Sequence, residues 1–123
     1  MPGLAANDFG DSIRFGASTA EEDEQNLDKV HFDISLYDIY VKGYLEMAKD
    51  VLTPEEIKSL PWGARLMTLE CGMRFLADFL QGDVYFKTAY PEHNLVRART
   101  QFRLVKEMEE QFSEMNEILT KYM

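Results

Sequence analysis

The chain has 123 residues, of which 46% are hydrophobic and 28% charged, proportions that indicate one ordinary globular domain and exclude a disordered or fibrous chain. Its formal charge of -9 disfavours binding to anionic surfaces, so neither nucleic acid nor a membrane is expected as a partner. Because the chain has a single cysteine, it cannot form an internal disulfide. One cysteine and two histidines are also too few to complete a closed zinc cluster. No membrane span or signal peptide is recognisable, and we expect a cytoplasmic protein.

Two helices are predicted in the first half of the chain. The first runs from an N-cap at Asp8 to Ala17, and the second begins after an N-cap at Asp33 and ends near Asp50. The apolar stripes that define them are Phe9, Ile13 and Ala17 in the first helix, and Ile34, Tyr37, Tyr40, Tyr44, Leu45 and Ala48 in the second.

An acidic run, Glu21 to Glu24 followed by Asp28, lies between these two helices. Like charges resist close packing against one another, and no apolar residue anchors the run before Leu27. The sequence therefore predicts a solvated, mobile loop here.

Two further helices are predicted on either side of Pro61. Thr53 to Glu56 form a capping box with Pro54 at the first helical position, which opens a short third helix. The fourth helix runs from Pro61 to about Leu80, and Gly82 supplies the left-handed residue that ends it. This fourth helix is apolar nearly all round, so we expect a central helix that is covered on most sides. Its apolar residues are Leu66, Met67, Leu69, Cys71, Met73, Phe75, Leu76, Phe79 and Leu80.

One long helix is predicted from Asn94 to the C-terminus, because apolar residues recur there at steps of three or four. Residues 29–32 and 84–86 are short strand candidates without a matching partner. The predicted fold class is therefore all-α, a bundle of about five helices that forms a single domain over residues 1–123.

Few residues carry recognisable chemistry. Asp8, Phe9 and Gly10 spell the magnesium-binding triplet of protein kinases, but the other kinase motifs are missing and a helix cap explains Asp8 more simply. Cys71 has no histidine near it in the sequence and is interpreted as an inert core residue.

Three charged residues stand on one face of the fourth helix, because Glu70, Arg74 and Asp78 follow one another at steps of four. Two interpretations remain open. The three form an ion-pair ladder that ties the helix to a neighbour, or they form the polar floor of a site for a hydroxyl-rich ligand.

Two long segments carry a resemblance to a known family: MPGLAANDFGDSIRFGASTAEEDE and LPWGARLMTLECGMRFLADFLQGDVYFKTAYPEHNLVRARTQFRLVKEMEEQF. They resemble the C-terminal part of N-acetylhexosamine 1-kinases, members of the aminoglycoside-phosphotransferase-like family whose relatives are often labelled mucin desulfatases. The resemblance implies the C-terminal helical subdomain of a protein-kinase-like fold. It also implies that the nucleotide lobe and the catalytic loop precede the segment seen here, so that ATP and magnesium belong to the full-length enzyme and no cofactor to this chain.

The resemblance further implies residue roles. Arg74 and Tyr85 look equivalent to residues that contact the sugar. Glu70 and Asp83 are second choices for substrate binding, and the resemblance gives them no role. Asp8 corresponds to a helix-starting aspartate rather than to a metal ligand, and no catalytic or metal-binding residue is expected in this chain. The expected partners are an N-acetylhexosamine and the missing kinase lobe. The alternative is a small free-standing helical protein that acts by association with a partner or with itself through its exposed face.

Overall fold

A computed structural model describes residues 2–123, with side chains from Ala6 onward. Its helices are α1 (Pro2–Gly16), α2 (Ile34–Ala48), α3 (Pro54–Lys58), α4 (Leu60–Leu80), α5 (His93–Glu110) and α6 (Phe112–Tyr122), and a 3-10 turn covers Leu27–Lys29. No strand occurs among these residues, only an isolated bridge between Ser18 and Phe32. The all-α prediction is confirmed, with six helices in the described chain. None of them is both long and apolar enough to span a membrane.

The first helix starts earlier than the sequence predicted. It begins at Pro2, whose missing N–H and fixed φ suit the first helical position, so Asp8 lies inside the helix and the predicted N-cap at Asp8 is wrong. The predicted stripe is confirmed, because the side chains of Phe9, Ile13 and Ala17 are all buried in the core.

Helices α1 and α4 cross at very short range through two glycines. A Cβ atom added to Gly10 would lie 2.7 Å from the carbonyl carbon of Gly63, and one added to Gly63 would lie 2.8 Å from Cβ of Ala6. Ordinary carbon contacts are about 3.5 to 4 Å, so only glycine allows the two helices to approach this closely. The interior glycine of α1 is therefore a packing residue.

Helices α2 and α3 begin as their sequences predict. The Asp33 carboxylate accepts hydrogen bonds from the backbone N–H groups of Ser35 and Leu36 at 2.9 and 3.2 Å. At α3 the capping box is complete, since Thr53 Oγ1 accepts from the Glu56 N–H and the Glu56 carboxylate accepts from the Thr53 N–H. Both caps satisfy amide groups that the first helical turn leaves without partners.

The long C-terminal helix is divided at Gln111. Its dihedral angles, φ -108° and ψ 15°, leave the helical region and separate α5 from α6. The break lets the chain follow the core, because Met108 in α5 and Met115 and Leu119 in α6 are all buried. The prediction of one continuous helix is therefore wrong at this residue, although its apolar periodicity is correct.

Helix α4 packs against α1 and α5 but leaves one face open. Leu66, Met73 and Leu80 are 57%, 56% and 74% exposed and lie along that face. The helix is therefore covered on most sides, as the sequence predicts, but not on this one. Apolar residues on a helix are buried only where neighbouring elements pack against them. In the described chain these elements cover only part of α4.

The acidic run is held by specific contacts. The Glu22 carboxylate pairs with Arg14 of α1, and the Glu22 carbonyl accepts a hydrogen bond from Thr100 Oγ1 at 2.6 Å. Asp23 accepts from Nε2 of the buried His93 at 3.2 Å. These residues form a surface loop with Glu21 and Asp23 exposed, as the sequence predicts, but polar contacts tie Glu22 and Asp23 to α1 and α5. The mobility of the loop stays a prediction.

Candidate functional site

The candidate site lies where α4 ends and the segment 82–90 begins. The N–H of Gly82 donates to the Phe79 carbonyl at 3.2 Å, and the N–H of Asp83 donates to the Asp78 carbonyl at 2.8 Å. These two bonds form a Schellman motif, and Gly82 has the left-handed φ of 95° that the sequence predicted. Asp83 is also left-handed, with φ 59°, which turns the chain back across α4.

The buried carboxylate of Asp78 organises the segment that follows α4. It accepts hydrogen bonds from the backbone N–H groups of Tyr85 and Phe86 at 2.7 and 3.0 Å, and from Nδ2 of Asn94 at 2.7 Å. Burial raises the pKa of the Asp78 carboxyl, but the donors from Phe86, Tyr85 and Asn94 outweigh burial and hold the pKa below its usual value. Asp78 is therefore an anion bound by the protein's own donors.

The ion-pair ladder, one of the two interpretations that the sequence left open, does not form among the described residues. Between residues 6 and 123, no ion pair joins Arg74 to Glu70 or to Asp78. The physical reason is that Asp78 points into the protein and is already saturated with donors, whereas Glu70 and Arg74 are exposed. This arrangement leaves the Arg74 guanidinium open to solvent.

Asn94, at the start of α5, completes the support of the segment 82–90. Its side chain is fully buried and donates to the carboxylates of Asp78 and Asp83, the second bond measuring 3.0 Å. Its Oδ1 accepts from Arg97, whose guanidinium also donates to the Lys87 carbonyl at 3.0 Å. One buried amide thus links α4, the segment 82–90 and α5.

A surface depression with a volume of about 240 Å³ lies above this support. Its walls bring together two residues that the sequence predicted, Arg74 and Tyr85. Tyr85 is 76% exposed, and its ring stands edge-to-face on Phe86 with ring centroids 4.9 Å apart. The Phe86 ring packs on Phe75 with centroids 4.7 Å apart. The lining residues are Arg74, Ala77, Asp78, Gln81, Tyr85 and Phe86.

The two second-choice residues lie differently. Glu70 shares with Arg74 a wider apolar groove of about 470 Å³ along α4, next to the depression. Asp83 does not line either cavity, and its carboxylate is bonded to Asn94. The structure therefore groups Arg74 with Tyr85 and with Glu70, and it gives Asp83 a supporting position behind the site.

The depression offers groups that suit a neutral polar ligand. The Arg74 guanidinium has several N–H donors, the Gln81 amide supplies a donor and an acceptor, and the Tyr85 phenol supplies a hydroxyl and an aromatic face. Nowhere in the described chain do three His, Cys, Asp or Glu side chains lie close enough together to hold a metal ion. The side chains that line the depression can bind a ligand through hydrogen bonds and ring stacking.

Cys71 lies on α4 outside these two cavities and is half-buried. Burial raises the pKa of its thiol, and this effect outweighs the Arg14 guanidinium, which lowers the pKa; the carboxylates of Glu22 and Asp11 raise it further. The thiolate is the reactive form of cysteine, so this environment disfavours nucleophilic chemistry. The inert role that the sequence predicted agrees with this environment.

A further cavity, of about 200 Å³, lies between the end of α1, the acidic run and α5. Its polar groups already bind one another: Arg14 pairs with Asp11 and Glu22, and Thr100 bonds to the Glu22 backbone. Among the described residues, the buried Gln101 Oε1 atom lacks a hydrogen-bond partner. The polar groups of this cavity therefore join α1, the acidic run and α5, and the cavity has room for an ordered water molecule.

Sequence reasoning missed three residues of the site. Gln81 and Phe86 line the depression, and Asn94 supports it from below. Asn94 stands at a predicted helix start, where its amide is ordinarily read as a local cap. No sequence signal connects it with Asp78, sixteen residues earlier, because that contact depends on how α4 and α5 pack.

The sugar-contacting roles that the resemblance implies for Arg74 and Tyr85 remain expectations, as do the second choices Glu70 and Asp83. The sequence matches no model of a known protein family.

Proposed function

We propose that this chain is the sugar-binding helical subdomain of an ATP-dependent N-acetylhexosamine 1-kinase. The observation that carries the proposal is that one depression brings together the Arg74 guanidinium, which has no ion-pair partner among residues 6–123, and the exposed aromatic ring of Tyr85. Pyranose sugars present hydroxyl groups around their edge and C–H groups on their faces. Hydrogen-bond donors beside an aromatic ring complement both features.

In this proposal the chain binds and orients the sugar. Arg74 donates hydrogen bonds to hydroxyl or N-acetyl oxygens, Gln81 adds an amide, and the ring of Tyr85 packs on the apolar face of the pyranose. The Asp78 carboxylate acts behind them by fixing the backbone of Tyr85 and Phe86. ATP and magnesium supply the phosphoryl group and charge stabilisation, and the lobe that holds them lies outside residues 1–123 by resemblance.

The proposal is tested by titrating the chain with N-acetyl-D-glucosamine while its backbone amide signals are followed by NMR. Arg74→Met removes the donors and keeps the length of the side chain. A hydrogen bond to a charged group contributes about 1.5 to 3 kcal/mol, so affinity should fall by a factor of about 10 to 150. Tyr85→Ala should weaken binding as well.

Arg99→Met is the matched control, because Arg99 is an exposed arginine on α5 outside the depression. Its affinity should equal that of the unsubstituted chain. Absence of saturable binding, or equal affinities for Arg74→Met and Arg99→Met, would overturn the sugar-binding role. The isolated chain should show no sugar-dependent ATP consumption, since it contributes no catalytic residue in this proposal.

A second candidate function is association with another protein. The exposed apolar face of α4 favours it, since Leu66, Met73 and Leu80 lie on one surface and each exposes more than half of its area. Contiguous apolar patches on protein surfaces commonly mark interaction sites. This candidate requires no phosphoryl transfer and no sugar.

A further inference from the structure

We infer that the open face of α4 binds a second copy of this chain, with the two α4 helices antiparallel about a two-fold axis. Glu70 of each copy then faces Arg74 of the other. The inference rests on the second candidate function above and names its partner. It does not require sugar binding, but both proposals use the Arg74 guanidinium, so the second copy and the sugar would compete for it.

The first observation is the shape of the apolar face. Leu66, Met73 and Leu80 are separated by seven residues, or nearly two helical turns, so they form one stripe along α4. From Leu66 to Leu80 the stripe is about 21 Å long at about 1.5 Å per residue. Spacing of seven residues suits packing of one helix along another at a small crossing angle.

The second observation is the position of the two charges beside the stripe. Glu70 and Arg74 are one turn apart on the same flank of the groove, and both are exposed. Neither forms an ion pair within the described part of the chain. A two-fold axis between antiparallel helices keeps this flank on the same side in both copies, so each glutamate meets an arginine.

The charges and the apolar stripe agree on where the axis passes. The midpoint of Glu70 and Arg74 is at residue 72, and the midpoint of the stripe from Leu66 to Leu80 is at residue 73. The two levels differ by one residue, or about 1.5 Å along the helix, which side chains accommodate. A single axis therefore pairs both charges and superimposes both apolar stripes.

Charge complementarity is the argument for a second copy on this face. The chain carries a formal charge of -9, so two copies repel each other at long range and can associate only through a face whose own charges pair. Glu70 and Arg74 place one charge of each sign on the α4 groove, so this face is neutral and complementary to its own copy.

The test measures molar mass by sedimentation equilibrium for the full chain and for charge variants. We expect a dimer for the unsubstituted chain. Glu70→Arg and Arg74→Glu each place two like-charged pairs across the axis, so each should weaken dimerisation at least tenfold. Glu117→Arg on α6 is the matched control and should leave the dimer unchanged, since Glu117 is exposed and distant in sequence. Circular dichroism verifies that all variants are folded.

Two combinations make the test specific for this geometry. The double variant Glu70→Arg with Arg74→Glu exchanges the charges and should dimerise again. An equimolar mixture of the two single variants should form a heterodimer, because every pair across the axis is then opposite in charge. A monomeric unsubstituted chain, or single variants that dimerise as tightly as the Glu117→Arg control, would overturn the inference.

Separate variants distinguish failure of this inference from failure of the sugar proposal. Leu66→Glu should abolish the dimer and keep sugar binding, because Leu66 does not line the depression. Tyr85→Ala should weaken sugar binding and keep the dimer, since Tyr85 does not line the groove. A monomer whose α4 face still binds an apolar dye would refute self-association and indicate that a different protein covers this face.

Discussion

The crossing of α1 and α4 gives a sharp prediction about stability. Gly63→Ala would place a Cβ atom 2.8 Å from Cβ of Ala6, where ordinary carbon contacts are about 3.5 to 4 Å. Helix backbone surrounds this position on the α1 side, so no side chain can rotate away. The two helices must separate, and such overpacking ordinarily costs about 1 to 3 kcal/mol.

Gly43→Ala provides the control for helix propensity. Gly43 lies inside α2, and a Cβ atom added there meets nothing within 4 Å. Replacing an exposed helical glycine by alanine stabilises a protein by about 0.5 to 1 kcal/mol, and Gly63→Ala receives the same gain. The difference in free energy of unfolding between the two variants therefore isolates the steric cost. We expect this difference to lie at the upper end of about 1 to 3 kcal/mol.

Urea unfolding followed by circular dichroism measures this difference. The midpoint should rise for Gly43→Ala and fall for Gly63→Ala, with unchanged slopes if both variants unfold in one step. A Gly63→Ala variant as stable as Gly43→Ala would refute the close crossing of α1 and α4. The position of α1 against the site helix would then need revision.

Three further predictions concern single side chains. Hydrogen bonds lower the pKa of Asp78 in the folded chain. The contribution of Asp78 to stability is therefore complete above about pH 4 and is lost as pH falls through the folded-state pKa. When the urea midpoint is plotted against pH, Asp78→Asn should flatten the acidic part of the curve. Tyr37→Phe removes the hydrogen bond from the buried Tyr37 hydroxyl to the Met115 carbonyl and should lower the free energy of unfolding by about 0.5 to 1.5 kcal/mol, and an unchanged urea midpoint would contradict it. Iodoacetamide should modify Cys71 in the folded chain more slowly than in urea, because burial raises the thiol pKa, and equal rates would contradict that environment.

Local signals in the sequence predicted much of the fold. Asp33 and the box from Thr53 to Glu56 determine their own helix starts, because each cap involves residues two or three positions apart. Gly82 likewise ends α4 through neighbouring backbone groups. The predicted N-cap at Asp8 was wrong because it also relied on a local signal. Aspartate is a favourable cap residue, but the helix begins earlier, at Pro2.

Features that depend on packing could not be predicted from periodicity. The apolar composition of α4 suggested a covered helix, but only the arrangement of α1 and α5 decides which face stays open. At the site, the i, i+4, i+8 spacing placed Glu70, Arg74 and Asp78 on one face of α4, which holds for Glu70 and Arg74 only. Asp78 turns inward to the amides of residues 85 and 86, a contact that the spacing could not reveal.

The sugar-binding role of the depression is tested most directly by intermolecular nuclear Overhauser effects with N-acetyl-D-glucosamine. This account predicts contacts from the ring protons of the sugar to the aromatic protons of Tyr85, and their loss in Arg74→Met at the same sugar concentration. Contacts to residues outside the depression, or no contacts at a concentration that saturates any observed shift, would contradict it.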